Sequence, residues 1–217
     1  MLSSWKSQRL SYRYITNFYY PLALTSILSL GVHPLVTFFM GQGRLPIESL
    51  AVIPVINSLV FIFRSIGLSY QEVVIALMGE QNKNFKILRN FALLVGCSVA
   101  AALSLITLTP LSFVWFNKIS GLTLELTFFA RFPAQILSVL PGLTVLISLQ
   151  RAILVKNEKT TAITIATSVE VFTIFSALFT MTVLFHFIGA IAAALAIMTG
   201  RLFANGYLFF ACKKALQ

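Results

Sequence analysis

Six apolar runs, each long enough to cross a bilayer as a helix, fill almost all of the 217 residues, and the clusters of Lys and Arg fall on alternate connections between them. A hydrocarbon layer about 30 Å thick takes about 20 helical residues per crossing. Inside it every backbone polar group must find a partner within the protein, which leaves helices or closed barrels as the only spanning forms. The pattern predicts an all-α, integral membrane protein, a bundle of six transmembrane helices at about 15–40, 49–78, 91–115, 122–154, 161–185 and 188–211. Residues 1–13 read as a basic N-terminal tail, 14–212 as the six-helix unit and 213–217 as a short C-terminal tail. A soluble domain with 58% hydrophobic and 10% charged residues would leave more apolar surface than one core hides. Six crossings and their turns use the length, so no soluble catalytic domain is expected.

The net charge of +10 would fit nucleic acid on its own, but its distribution argues against that partner. The N-tail (Lys6, Arg9, Arg13), the second connection (Lys83, Lys86, Arg89), the fourth (Arg151, Lys156, Lys159) and the C-tail (Lys213, Lys214) carry eleven cations on one side. Arg44 and Lys118 are the two on the other. This asymmetry places both termini in the cytoplasm, in a cell (plasma or inner) membrane. The first apolar run continues to Met40 without a small-residue cleavage site, so it reads as a retained span rather than a signal peptide.

A charge at the centre of a spanning helix costs about 2.5–3.5 kcal/mol on insertion scales, so an ionised residue there must face protein, water or a partner. Arg64, Glu72, Arg131, Glu170 and Arg201 all fall inside predicted spans. Asn57, Arg64 and Gln71 are seven residues apart, which returns each to nearly the same helical face and makes a polar stripe; Glu72 lies beside it. Arg131, Gln135, Ser138 and Gly142 make a second stripe at steps of four, three and four. Arg201 and Asn205 share a face, and Glu170 lies roughly 15 Å into its span. Three arginines against two glutamates favour a cavity for an anionic substrate: Arg64, Arg131 and Arg201 bind it, Asn57, Gln71 and Gln135 orient it, and Glu72 or Glu170 takes a coupling ion or proton. Equally open is a structural pair between Glu170 and an arginine that locks the bundle.

Pro21, Pro34, Pro54, Pro133 and Pro141 lie within spans, where each removes a backbone hydrogen bond and bends the helix or is tolerated by its neighbours. Gly189, Ala192, Ala193, Ala196 and Gly200 place small residues on the last helix at steps that let backbones approach, so that helix is expected to be buried. His33 and His186 read as an intrahelical and an interfacial histidine, and Cys97 and Cys212 as packing residues. No cofactor motif, metal-ligand spacing, nucleophile motif or phosphate-binding glycine loop occurs, and Asp is absent, so the chain does not read as an enzyme.

The run Phe18-Tyr-Tyr-Pro-Leu-Ala-Leu24 followed by Pro34 and a glycine-containing turn resembles the opening of one lobe of the multidrug and toxic compound extrusion (MATE) transporters and the related oligosaccharide flippases. Leu50-Ala51, the Gly79-Glu80 exit, Arg131 to Pro141, Leu149-Gln-Arg-Ala152 with Lys159-Thr160, and Ile188-Gly-Ala-Ile-Ala-Ala193 extend the resemblance over about residues 14–212. Within that superfamily the chain looks most like the C-terminal half of the progressive ankylosis family of anion exporters. The resemblance implies a single MATE-like lobe of an alternating-access transporter. Family members have two facing lobes, so it also implies a second copy of this chain or a complementary six-helix lobe, or a fragment of a longer protein. The acidic residue many multidrug members carry in the first helix of their first lobe is missing, which disfavours cation-coupled drug efflux by this chain alone. The competing expectation is a membrane subunit that transports nothing and stabilises or regulates another complex.

Overall fold

The computed structural model describes residues 12–79 and 83–216, and nearly all of them are helical. Helix α1 spans Tyr12–Gln42, α2 Pro46–Leu77 and α3 Phe85–Leu108; α4 (Leu111–Phe113) runs into a π-helical turn, Val114–Ile119. Then come α5 (Leu124–Leu137), α6 (Leu140–Lys156), α7 (Thr160–Leu178) ending in a second π-helical turn at Phe179–Leu184, and α8 (Gly189–Leu216). Six segments are long and apolar enough to cross a bilayer: Tyr19–Gln42, Pro46–Leu77, Phe85–Leu108, Leu124–Lys156, Thr160–Leu184 and Gly189–Ala215. The chain is an all-α, multi-pass membrane protein. Most of the expected basic tail, and Glu80 at the exit of the second span, lie outside the described residues.

Local chemistry sets the ends of these helices. Pro110 disfavours helical geometry at Thr109, which is extended (φ −101°, ψ 173°) and stops α3. Leu45 takes the left-handed conformation ahead of Pro46, whose fixed φ starts α2 at a position that needs no N–H donor. The span expected as one helix over 122–154 is two, α5 and α6, with a break at Ser138–Val139. Pro141 has no N–H for the carbonyl of Leu137 and its ring crowds that oxygen, so the ladder is interrupted one turn before it. Both long spans, Pro46–Leu77 with 32 residues and Leu124–Lys156 with 33, reach about 48 Å at 1.5 Å per residue and must tilt in an ordinary bilayer.

Packing centres on α6. It lies against α2, α3 and α8, while α7 packs on α8 and α1; the fourth span is the most buried of the six and the first span the least. On the side where α1 meets α2, two turns are stitched together. The Arg44 N–H donates to the Phe187 carbonyl at 3.0 Å, the Gly189 N–H to the Arg44 carbonyl at 3.1 Å, and the Ala190 N–H to the Ser49 hydroxyl at 2.9 Å. At α1, Pro21 leaves a carbonyl that accepts from both Thr25 Oγ1 (2.8 Å) and Thr164 Oγ1 (2.6 Å), a polar tie to α7.

Two apolar cores fill the bundle. One, around Ile56, Leu59, Phe116, Leu137, Ile174 and Leu178, occupies the half that holds the α1–α2 turn; the other, around Val74, Met78, Val145, Leu154, Ala166 and Leu208, occupies the opposite half. Small residues bring the helices close. Ala190, Ala192, Ala193, Ala194 and Ala196 are fully buried, as the spacing on the last helix predicted. A Cβ on Gly200 would stand 2.6 Å from Ile174 Cγ1 and 3.0 Å from the Glu170 carbonyl oxygen, and one on Gly67 3.0 Å from the Val145 nitrogen. Gly200→Val is therefore expected to destabilise the protein by about 1–3 kcal/mol through overpacking. Gly206→Val, on the same helix with nothing within 4 Å, is expected to change little, and thermal unfolding of both variants in detergent measures the contrast.

Candidate functional site

Three ionised residues of the spans lie in a layer between the two apolar cores. On α2 Arg64 lies between Val60 of one core and Tyr70 of the other; on α7 Glu170 lies between Ala166 and Ile174; on α8 Arg201 lies between Ala196 and Ala204. Glu170 and Arg201 meet as an ion pair, Oε1 to Nη2 at 3.2 Å, with side chains 10% and 12% exposed. Gly200 makes this possible, because α8 presses its backbone onto α7 within one residue of Arg201.

A fourth ionised residue joins them. Arg151 sits five residues before the end of α6, near enough to a membrane surface to send its guanidinium to water. Side chains of a helix lean toward its N-terminus, however, and for α6 that direction is inward. Its Nη2 donates to Thr167 Oγ1 at 3.2 Å, one turn from Glu170. Arg64 and Arg151 have no direct contact with the pair among the described residues, but both lie within electrostatic reach of Glu170 and Arg201, and the four are taken together as one charged group.

The cluster holds three guanidinium groups and one carboxylate, an excess of two positive charges within the bundle. Its hydrogen bonding is incomplete on both sides, since the neighbouring Gln150 Oε1 and Asn205 Oδ1 are buried acceptors without a donor among the described residues. Nε of Arg64, Arg151 and Arg201 are buried donors without an acceptor among the described residues. Beneath it, Asn205 Nδ2 donates to the carbonyls of Arg201 (2.9 Å) and Leu143 (3.4 Å), and Gln150 Nε2 donates to the Asn205 carbonyl (3.2 Å), fixing α8 against α6.

The other residues singled out in the sequence lie elsewhere. Arg131 Nε donates to Ser112 Oγ at 3.1 Å, Gln135 Nε2 to the Thr107 carbonyl at 3.3 Å, and Ser138 Oγ accepts from Ser104 at 3.1 Å. With Gly142 against the backbone of Gly96, this whole stripe faces α3 and α4. Asn57 and Gln71 are half-buried two turns either side of Arg64, and neither side chain makes a hydrogen bond among the described residues. Glu72 and His33 are exposed on α2 and α1. Cys97 is exposed and Cys212 is buried, donating to the Gln150 carbonyl at 3.3 Å. Sequence reasoning counted Arg151 with the flanking cations and so missed its place in the cluster. The available signal was Thr167, three residues before Glu170 and therefore on its face.

Compared with protein-family models, with curated proteins and with solved structures, the chain matches none. Its class rests on its own architecture, a six-span membrane bundle with a cationic polar layer at its centre.

Charge balance predicts opposite signs for two conservative substitutions. Glu170→Gln removes the carboxylate and leaves three buried guanidinium groups without an anion, a loss of about 3–5 kcal/mol by analogy with broken buried pairs. Arg64→Gln lowers the charge excess and is expected to leave stability unchanged or raise it. Unfolding midpoints of both variants in one detergent test the pair of signs.

Proposed function

We propose that the chain is one bundle of an alternating-access transporter for an anionic solute, in the manner of a MATE-like lobe, and that it works against a second copy or a complementary six-helix bundle. The observation that carries this reading is the cationic group of Arg64, Arg201 and Glu170 well inside their spans, with Arg151 reaching inward toward it. Charged residues are expensive in hydrocarbon, and those kept inside spans mark pathways for ions and polar solutes. Transporters built from paired bundles bind substrate near the midplane and rock around that site. Arg64, Arg151 and Arg201 attract the anion, and Glu170 is the internal carboxylate whose charge state a coupling ion would change.

A facing bundle is supported by polar groups that this one leaves uncovered. Asn57 and Gln71 are half-buried without hydrogen bonds, and His33 and Glu72 are exposed on spanning helices. A water-filled cleft would solvate all four, whereas lipid would not. The α5 stripe of Arg131 and Gln135 is engaged with α3 and α4, so it supports the bundle rather than the solute site. Catalysis forms no part of this reading.

Uptake of labelled phosphate, pyrophosphate and citrate into proteoliposomes holding the purified chain tests the proposal. Transport of at least one of these anions is expected, falling at least tenfold in Arg64→Gln and Arg201→Gln while Arg131→Gln retains it. A chain that inserts, assembles and moves none of them is a non-transporting membrane subunit. The cation asymmetry, ten against two once Arg151 is placed inside the bundle, predicts both termini on the cytoplasmic side. Terminal fusions to a reporter active only in the cytoplasm should both be active.

A further inference from the structure

We infer that the arginine layer binds a doubly charged oxyanion, of the phosphate or sulfate type, and that Glu170 is its built-in competitor, holding Arg201 when the site is empty of solute. This rests on the transport reading only in that the bound anion would be the transported one; the binding site itself stands on the cluster's own chemistry.

Charge sets the valence. Three guanidinium groups and one carboxylate sum to +2, and α2, α6, α7 and α8 contribute no other ionised group to the cluster. A single negative charge would leave half of that excess uncompensated between two apolar cores. A dianion neutralises it.

Hydrogen bonding sets the type of ligand. Arg64, Arg151 and Arg201 each keep a buried Nε–H without an acceptor, and a guanidinium offers its N–H groups as a planar fork that matches two oxygens of a carboxylate or a phosphate. The donors come from three different helices, so they approach from different directions. A tetrahedral oxyanion presents acceptor oxygens in as many directions, which a planar carboxylate does not, and a halide, though it accepts from any direction, carries only one charge. Thr167 Oγ1 accepts from Arg151 Nη2 and gives its own proton to the Ile163 carbonyl at 3.1 Å, so it aims the guanidinium and leaves the anion to the arginines.

Glu170 sets the competition. Its carboxylate lies 3.2 Å from Arg201 Nη2 and supplies the one internal anion of the cluster. An incoming oxyanion reaches the full charge of Arg201 only by displacing or weakening that contact, so the pair lowers affinity and eases release. Removing the carboxylate raises the local charge to +3 and frees Arg201, which should tighten binding even as it weakens the fold.

Equilibrium dialysis of the purified full chain in detergent, with radiolabelled orthophosphate at constant ionic strength, tests this directly. One saturable site per chain is expected, competed by sulfate and pyrophosphate and not by nitrate. Arg64→Gln and Arg151→Gln, which remove excess charge and so should fold, are expected to weaken binding about tenfold or more, and Glu170→Gln to tighten it by a similar factor. Absence of saturable binding, equal competition by nitrate, or binding unchanged in both arginine variants overturns the assignment. Weaker binding in a folded Glu170→Gln overturns the competitor role; should that variant not fold, Glu170→Asp, which shortens the carboxylate's reach to Arg201, should show the same tightening in smaller measure. Binding without uptake in proteoliposomes removes the transport reading and leaves the site, whereas uptake that survives Arg64→Gln and Arg151→Gln removes the site and leaves transport.

Discussion

Charge in a low-dielectric interior has to be matched locally, and the arrangement of this bundle turns on how that is done for Arg64, Arg151, Arg201 and Glu170. In hydrocarbon there is no water to screen an uncompensated guanidinium, and the cost rises with depth. Arg64, Glu170 and Arg201 lie in one stratum with an apolar core on each side of it, and Arg151 approaches it from within the second core. Each core is closed by ordinary packing of Leu, Ile, Val and Ala, so the helices are held together by contacts that do not involve the charges. The polar layer is thereby free to carry an imbalance that would be intolerable if it were also the main source of cohesion.

The close approaches of α2 to α6 at Gly67 and of α7 to α8 at Gly200 sit within one turn of Arg64 and Arg201. In lipid, helix association draws on van der Waals contact and interhelical hydrogen bonds more than on the hydrophobic effect, which is why small residues gather at interfaces. Here they do a second thing. Drawing the backbones together lets Glu170 and Arg201 pair across α7 and α8 and keeps Arg64 on α2 and Arg151 on α6 within electrostatic reach of that pair. The Asn205 and Gln150 hydrogen bonds beneath the cluster fix the rotation of α8 on α6 and so the direction from which Arg201 enters.

Hydropathy alone placed the six spans, because the transfer cost of backbone and charge in hydrocarbon leaves no other reading of six long apolar runs. The small-residue rows of the last helix likewise foretold its burial. The break at Ser138–Val139 was less legible: hydropathy runs unbroken across it, and several other prolines lie inside helices that continue through them, Pro54 and Pro133 among them. Nor does periodicity say which neighbour a face meets. Arg64 and Arg131 each belong to a polar stripe, yet Arg64 lies between the two cores while the stripe of Arg131 turns to α3 and α4, a matter of helix order and rotation in three dimensions. Arg151 was hidden for a related reason. A cation near a helix end normally reaches for the interface, and only the polarity of α6, with its N-terminus deeper in the bilayer, turns this one inward.

Two kinds of arginine therefore coexist in the same membrane-spanning unit. Arg131 keeps a hydroxyl partner on the short α4, at the end of the bundle that holds the α3–α5 turn, where its charge is nearer the interface and its role is to join helices. The three arginines of the central layer have between them one carboxylate and several idle donors. A purely structural network would be expected to close on itself, since each buried donor left open costs about 1–3 kcal/mol, and substitution by apolar residues would serve the fold as well or better. Idle amide oxygens of Gln150 and Asn205 beside it could take some of those donors, but a neutral amide does not offset charge, and an uncompensated cationic group retained beside two well-packed cores makes physical sense when the balancing anion arrives from outside.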